Sequence, residues 1–373
     1  MRTAVMIGSL GAFFNLYQLQ ALFPQLSHRF ESTIADAGWL TLASLLGMTV
    51  VAPIAAIITR RTKPSAVLVT GFLTLGVLNA LIAFTTSHAG LFFLRLVQGA
   101  ALPFLLTATM TLVSGNPLRF VPLYVAGTIL GSTLSRLYPA WSVDTLGWES
   151  GFLGAAGLMA LAAAALNHLS RINVFAPGTG DLHPPSPGAS VRFAMSDRTL
   201  LIAYLSGFAL LFTQSTVFTA LGLWLSQPPH AWTSERIGTL YLACLPALFF
   251  VLSAHVLRRR LSETTLASLL ILLSWLALWV LATRNTSPYI GVGLFATATY
   301  VFQTITTRIL STSVSVPPSV ATGYYLSFYY LGGAIGATLA GYSFSAWGWQ
   351  GVLACLATLQ ALGLYLCIWL KHR

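Results

Sequence analysis

The sequence predicts an all-α integral membrane protein with twelve transmembrane helices, arranged as two six-helix halves. Of its 373 residues, 56% are hydrophobic and only 7% are charged, whereas soluble proteins carry roughly 25% charged residues. Its apolar stretches repeatedly reach about 20 residues, the length that an α-helix needs to cross a bilayer. A transmembrane β-barrel would instead show alternating segments of about ten residues.

We number the predicted membrane spans 1 to 12 and keep these numbers throughout. Their limits are 4–24, 36–58, 65–86, 89–112, 119–141, 150–169, 199–225, 234–256, 264–283, 288–310, 319–345 and 349–370. Span 1 follows Met1-Arg2 directly, but it is too long for a signal peptide and lacks a small-residue cleavage site. Cys244, Cys355 and Cys367 all fall within spans and form no close pair, so we expect neither a disulfide nor a metal site, and no cofactor.

Basic residues divide unequally between the two predicted membrane faces. With a cytoplasmic N-terminus, the inner face receives Arg2, Arg60, Arg61, Lys63, Arg119, Arg171, Arg192, Arg198, Arg258, Arg259, Arg260, Lys371 and Arg373. The outer face receives only Arg29, Arg236 and Arg284. By the positive-inside rule we expect both termini in the cytoplasm. The net charge of +11 then reflects topology and attraction to anionic membrane lipid, and it needs no nucleic-acid partner.

One hydrophilic stretch, 171–198, separates six spans from six and is rich in proline and glycine, the composition of a flexible linker. We therefore predict an N-terminal six-helix bundle at 1–170, a cytoplasmic linker at 171–198 and a C-terminal six-helix bundle at 199–373. An even number of spans gives both halves the same orientation, as in a parallel repeat.

Internal similarity between the halves supports a duplication. The Gly127–Leu134 stretch of span 5, GTILGSTL, resembles the Gly332–Leu339 stretch of span 11, GGAIGATL. A Gly-Trp pair then opens the next span in each half, at 147–148 and 348–349. Spans 2 and 8 also both run into basic clusters at the predicted inner face.

These motifs resemble the major facilitator superfamily over almost the whole chain. The Arg95-Leu-Val-Gln98-Gly99 stretch matches the Arg-x-x-Gln-Gly motif of that superfamily's fourth helix, and the two Gly-Trp pairs match the usual starts of helices 6 and 12. More narrowly, the chain resembles the bacterial inner-membrane branch named after arabinose efflux permeases. The stretches that carry this likeness are 17–24 (YQLQALFP), 127–136 (GTILGSTLSR) and 329–336 (YYLGGAIG).

The resemblance implies a carrier in which helices 1, 4, 7 and 10 line a central cavity and two halves rock about it. Many relatives in this branch are proton-driven exporters. Two departures matter. The acidic residue and glycines of the signature between helices 2 and 3 are absent at 52–61, and Ser132 replaces the proline of the antiporter signature in helix 5.

Large polar residues recur on the four helices expected to line the cavity. Because such groups are unlikely to face lipid, we expect them to face inward. The predicted substrate-binding residues are Asn15, Gln18, Arg95, Gln98, Gln214, Tyr300 and Gln303. The alternative for each is helix packing, in which polar side chains contribute roughly 0.6 kcal/mol on average. Amides and hydroxyls suit a polyol or a mixed polar-aromatic molecule, but do not identify one.

Three arginines fall within predicted spans. A guanidinium in a helix centre costs at least ~2.5–3.5 kcal/mol, so a partner or a wet cavity is expected around Arg95. Three roles are open for Arg95: it binds substrate, it pairs with a titrating carboxylate, or it donates to backbone carbonyls and fixes helix positions. Arg136 lies nearer the outer surface, where it can snorkel, and we assign it a gating or structural role. Arg308 is interpreted as an inner-face anchor.

Coupling and gating residues are harder to select, because all eight acids lie outside the spans or at their edges. Asp36 is the best candidate for proton coupling, with a helix cap as its alternative. Small residues spaced by four, Gly127 and Gly131 in span 5 and Gly332 and Gly336 in span 11, let helices approach closely. They permit either sliding between the halves or static packing.

The sequence thus predicts a monomeric inner-membrane secondary transporter that exports a small organic molecule, sugar or drug-like, by alternating access, with proton antiport as the coupling. The alternative is an uncoupled facilitator or importer of a small polar solute. The partners are a small-molecule substrate, membrane lipid and protons. No catalytic motif is found, so an enzyme is not expected. A sensor with a carrier fold is also considered.

Overall fold

The computed structural model describes residues 1–30, 34–171, 195–254, 256, 261–283, 287–312 and 316–371, and in this part it is helical without strands. Most of the predicted linker therefore lies outside the described residues. Spans 2 to 7 are the helices Ile34–Thr59, Pro64–Ala83, His88–Ser114, Pro117–Leu146, Trp148–Arg171 and Arg198–Ser226. Spans 9 and 10 are Glu263–Ala282 and Pro288–Ser311, and spans 11 and 12 lie within Pro318–Lys371.

Span 1 is broken in the membrane, where the sequence predicts one continuous helix over 4–24. Its first helix is Arg2–Leu16, and after a turn a second helix runs over Phe23–Phe30. The break leaves helix-end carbonyls without an intrahelical donor in the middle of the span. Such irregular backbone is tolerated at membrane depth only where protein or water satisfies it.

Span 8 is also irregular, in contrast to the continuous helix predicted over 234–256. It consists of the helix Ser234–Leu240, a 3₁₀ turn at Tyr241–Cys244 and the helix Ala247–Leu252. Pro246 precedes the last of these helices. A proline has no N–H group and clashes with the preceding turn, which accounts for the interruption.

Seven described helices are long and apolar enough to cross a membrane, at Trp39–Thr59, Pro64–Ala83, His88–Ser114, Trp148–Arg171, Arg198–Ser226, Ser234–Leu252 and Thr265–Ala282. Span 1 is excluded because its first helix has only 15 residues. Spans 5 and 10 are long enough, with 30 and 24 residues, but they carry more polar side chains. These two polar spans contribute to the site described below.

The two Gly-Trp pairs make the same structural feature twice. Gly147 and Gly348 both have a positive φ, of 84° and 64°, a conformation that favours glycine. The indole N–H of Trp148 donates to Ile82 O at 3.0 Å, and that of Trp349 donates to Leu281 O at 3.1 Å. Trp148 thereby connects the start of span 6 to the end of span 3, and Trp349 connects the start of span 12 to the end of span 9.

The six spans that precede the linker contact those that follow it at both ends of the molecule. Near the predicted inner face, span 2 packs on span 11, and Ser327 Oγ donates to Thr49 O at 2.9 Å. Near the predicted outer face, span 5 packs on span 8, and a Cβ added at Gly238 would lie 2.9 Å from Ala140 Cβ. The two predicted halves therefore touch on both sides of the space that lies between these contacts.

Candidate functional site

Spans 1, 3 and 4 share a buried polar network, which we call the Arg95 cluster: Arg95, Asn15, Gln18, Asn79 and Gln98. All five side chains are at most 1% exposed. Asn15 Oδ1 accepts from Asn79 Nδ2 at 2.7 Å and from Gln98 Nε2 at 3.1 Å, and Asn79 Oδ1 accepts from Gln18 Nε2 at 3.1 Å. The structure therefore brings four predicted substrate-binding residues together, although in a packed network.

Arg95 lies at the break in span 1. Its guanidinium donates to Asn15 O at 2.9 Å, to Leu16 O and to the side-chain oxygen of Gln98. Leu16 ends the first helix of span 1, so a cation here also meets the negative end of the helix dipole. Arg95 thus satisfies carbonyls that the break exposes. Substrate binding by the Arg95 cluster stays a prediction.

A second buried polar site surrounds a small cavity of about 10 Å³, room for about one water molecule. We call it the central cavity. It lies where spans 1, 5, 7, 10 and 11 meet, between the span 2–11 contact and the span 5–8 contact. Its lining is formed by Phe13, Tyr17, Gln20, Arg136, Gln214, Ser215, Phe218, Tyr300 and Tyr329. Gln214 and Tyr300 come from the predicted substrate-binding set, and Arg136 from the predicted gating set.

Arg136 is the charged group of the central cavity, and it is only 3% exposed. Its Nε donates to Gln20 Oε1 at 2.9 Å, and its terminal nitrogen donates to Ser132 O at 2.6 Å. The guanidinium carbon also lies 4.2 Å from the ring centre of Tyr17 and 4.3 Å from that of Tyr241. These are cation–π distances, and they hold Arg136 inside the protein rather than at the membrane surface.

Several polar atoms around the central cavity lack a hydrogen-bond partner within the described part of the chain. They are Gln20 Nε2, Gln214 Nε2 and Ser215 Oγ, on side chains that are all at least 95% buried. Leaving such a group unpaired costs about 1–3 kcal/mol. Unpaired polar atoms of this kind call for a specific explanation, and a bound ligand is one.

Tyr300 connects span 10 to span 5 across the central cavity, since its hydroxyl lies 2.7 Å from Ser132 Oγ. Gln303, one turn further along span 10, is also buried, and its Oε1 has no partner among the described residues. It is not part of the cavity lining, so its role in binding stays a prediction.

The glycine rows bring helices together within each predicted half. A Cβ added at Gly131 would collide with backbone atoms of Leu10, and one at Gly127 with the Ser9 side chain. On the other side, a Cβ at Gly332 would meet the backbone of Phe208, and one at Gly336 that of Phe212. The rows thus pack span 5 on span 1 and span 11 on span 7. They therefore do not lie between the halves, where sliding was expected, because each row contacts a helix of its own half. A role in gating stays a prediction.

The predicted outer face carries a separate open pocket of about 520 Å³. Gln25 connects the two sides of this pocket, because its amide donates to Asp144 and its Oε1 accepts from Ser234 Oγ. Nearby, Arg29 and Glu149 form an ion pair at 3.5 Å. The side chain of Asp36, the predicted coupling residue, lies outside the described part.

Sequence reasoning missed several of these residues. Gln20 and Asn79 were not selected, although both are amides within predicted spans. Gln20 lies in the turn between the two helices of span 1, so helical spacing from Asn15 does not predict which way it faces. Ser215 is not predicted either, since serine is common in membrane helices and its sequence context gives no signal.

Comparisons with known proteins agree with the architecture. The family model described as Major Facilitator Superfamily matches residues 5–320. An uncharacterized transporter of Buchnera aphidicola (subspecies Schizaphis graminum) is 22% identical over 99% of this chain and 90% of its own length. The inner membrane transport protein YnfM of Escherichia coli K12 is 26% identical over 97% of this chain and 88% of its own.

Proposed function

Because the chain belongs to the major facilitator superfamily, we propose that it carries a small organic molecule by alternating access, with the central cavity as its substrate site. The chain is a multi-pass membrane transporter rather than an enzyme, and its relatives carry transporter names. The observation that carries the proposal is the position of this cavity, between the span 2–11 contact and the span 5–8 contact.

The size of the central cavity supports a carrier in an occluded conformation. A space for one water molecule is too small for an organic solute, so substrate must enter when one end has opened. The two ends have different contacts. The span 5–8 end holds Gly238 against Ala140, and the span 2–11 end holds Gly323 against Ala56. Alternating access requires these contacts to separate in turn.

Two engineered disulfides can lock the ends one at a time. In a background with Cys244, Cys355 and Cys367 replaced by alanine, A140C/G238C locks one end and A56C/G323C locks the other. A disulfide needs a Cβ separation of about 3.8 Å, so each pair must move apart slightly. A third change, S215C, places one free thiol in the central cavity, where Ser215 is 2% exposed. It is labelled with a membrane-impermeant maleimide in sealed vesicles of known sidedness.

We expect each lock to leave S215C accessible from one side only, and the two locks to select opposite sides. Reduction of either disulfide should restore labelling from both sides. The same labelling pattern gives the orientation, with A140C/G238C leaving access from the cytoplasm if the termini are cytoplasmic. Two results would contradict alternating access. One is an S215C thiol that the maleimide labels from neither side in the unlocked protein, and the other is a thiol that it labels from both sides in a locked protein.

We further propose that the chain works in the inner membrane as an exporter coupled to proton antiport. The support is its likeness to an inner membrane transport protein and the branch resemblance of its motifs. Uptake of arabinose, tetraphenylphosphonium and benzoate into proteoliposomes tests it, with and without an imposed pH gradient. A gradient that drives none of the transported solutes contradicts antiport.

One observation favours the second candidate, an uncoupled facilitator. The described lining of the central cavity contains no aspartate, glutamate or histidine, and a proton-coupled carrier needs a group that titrates as it moves between faces. For a facilitator, solute should equilibrate across the proteoliposome membrane without accumulating, whatever the pH gradient.

A further inference from the structure

We propose that the substrate carries a carboxylate, which binds Arg136 in the central cavity. This inference rests on the proposed function, because it assigns a substrate class to the same cavity. Its starting point is a mismatch of charge. Arg136 is a buried cation, and the ion pair found among the described residues, between Arg29 and Glu149, does not involve it.

The protein partners of Arg136 leave its charge uncompensated. They are a side-chain amide oxygen, a backbone carbonyl, the Tyr241 side chain and aromatic rings, all of them neutral groups. A guanidinium has five N–H donors, and the two hydrogen bonds to Gln20 and Ser132 engage only part of this capacity. Buried charges are ordinarily paired. Arg136 therefore lacks an anion, and the cavity beside it is where one would bind once an end of the carrier has opened and the cavity has widened.

The neighbouring unpaired groups point to the same chemistry. Gln20 Nε2 and Gln214 Nε2 are donors only, and the Ser215 hydroxyl can donate. All three are buried on the cavity without a partner within the described residues. Together with Arg136 they present donors and a positive charge, with no ionised acceptor on the described lining. A carboxylate is complementary to this set, because it accepts only and takes several hydrogen bonds.

The donors come from both sides of the cavity, which links binding to movement. Gln20 and Arg136 belong to spans 1 and 5, whereas Gln214 and Ser215 belong to span 7. A carboxylate between them would bridge the two predicted halves. The rest of the lining is aromatic, with Tyr17, Phe218, Tyr300 and Tyr329 among its members, and it suits an apolar or aromatic body on the ligand.

Arg95 is not an equivalent site, although it is equally buried. Its guanidinium is already bound to two carbonyls that end the first helix of span 1 and to the Gln98 oxygen. Arg95 is not part of the described lining of the central cavity. The carboxylate is therefore assigned to Arg136.

Matched acid and amide probes test the inference. Thermal stabilisation of the purified full-length protein in detergent is titrated with benzoate against benzamide and with phenylacetate against phenylacetamide. Each pair has the same ring and shape but differs in charge. For the wild type we expect the acid to half-saturate at a concentration at least tenfold lower than its amide. In Arg136→Gln the preference should disappear, and in Arg136→Lys a weaker preference should remain, since lysine keeps the charge but loses the fork geometry.

Arg119→Gln is the control, because it removes one positive charge from the exposed opposite end of span 5 and should leave the acid preference unchanged. Amides that bind as well as acids, acids that give no stabilisation, or a preference that survives Arg136→Gln would each overturn the carboxylate assignment. So would a preference that Arg119→Gln abolishes. The disulfide-locking experiment reports on carrier function independently, so the two proposals can fail separately.

Discussion

Replacing Arg95 with alanine tests whether this residue holds the break in span 1 or binds substrate. The change removes hydrogen bonds donated to Asn15 O, Leu16 O and Gln98 Oε1. A buried acceptor without a donor costs about 1–3 kcal/mol, hence about 3–9 kcal/mol for three. Removing a guanidinium from the membrane interior returns about 2.5–3.5 kcal/mol. We therefore expect the free energy of unfolding to fall by about 3 kcal/mol.

The measurement is reversible unfolding of the purified protein in mixed micelles, together with transport kinetics in proteoliposomes. Gln98→Ala provides a graded comparison, because it leaves both carbonyls of span 1 bound to Arg95 and should cost only about 1–2 kcal/mol. Arg119→Ala, on the exposed inner end of span 5, should stay within about 0.5 kcal/mol of the wild type. In Arg95→Ala the residual transport should show a lower kcat and an unchanged KM, since Arg95 does not line the central cavity.

The opposite pattern would refute the reasoning. If Arg95→Ala unfolds within about 0.5 kcal/mol of the wild type while KM for the substrate rises tenfold, Arg95 is a substrate ligand. The prediction of direct binding made from its helix-4 motif would then be correct, and the contact with span 1 would be incidental.

Three further predictions follow from particular contacts. Trp148→Phe and Trp349→Phe each remove one indole hydrogen bond, so both should lower the free energy of unfolding by about 1 kcal/mol. Trp141→Phe is the control, because this side chain is exposed and its replacement should leave the free energy of unfolding unchanged. Gly336→Ala places a methyl group against the Phe212 backbone, while the methyl group of Gly341→Ala in the same span meets nothing within 4 Å. Only Gly336→Ala should lower the free energy of unfolding, by about 1–3 kcal/mol. Equal stabilities of the two variants would contradict tight packing at Gly336. Gln25→Ala removes the hydrogen bonds to Asp144 and Ser234, which link spans 5 and 8 through Gln25. The disulfide of A140C/G238C between these two spans should therefore form more slowly, whereas Thr145→Ala should leave its rate unchanged.

Much of the fold could be predicted from the sequence, because helix length and apolar composition are local properties. The Gly-Trp pairs are a good example. Their repetition predicted related positions in the two halves, and Trp148 and Trp349 do make equivalent hydrogen bonds to spans 3 and 9. Matched residues that make matched contacts support the proposed division into two bundles.

The candidate site was less predictable, because its geometry depends on two broken helices. Helical spacing places Asn15 and Gln18 on one face of span 1, and both do join one network. The helix ends at Leu16, so Gln18 and Gln20 both lie in the turn that follows it, and helical spacing could not show that Gln18 joins the Arg95 cluster while Gln20 lines the central cavity. The carbonyls at the break are bound by Arg95, a residue of another span, so periodicity within span 1 could not reveal this contact.

Two buried arginines in this chain show why residue type and depth alone do not identify a substrate ligand. Arg95 and Arg136 are both almost completely buried, and both come from spans of the predicted N-terminal half. The two terminal nitrogens of Arg95 donate to carbonyls that the break in span 1 exposes, so its charge compensates the end of a helix. Arg136 instead faces a cavity where amide and hydroxyl donors also lack acceptors. We infer that what separates the roles is the surroundings of each guanidinium, because Arg95 meets the carbonyls of a helix end whereas Arg136 lines a cavity in which a ligand would complete its hydrogen bonds.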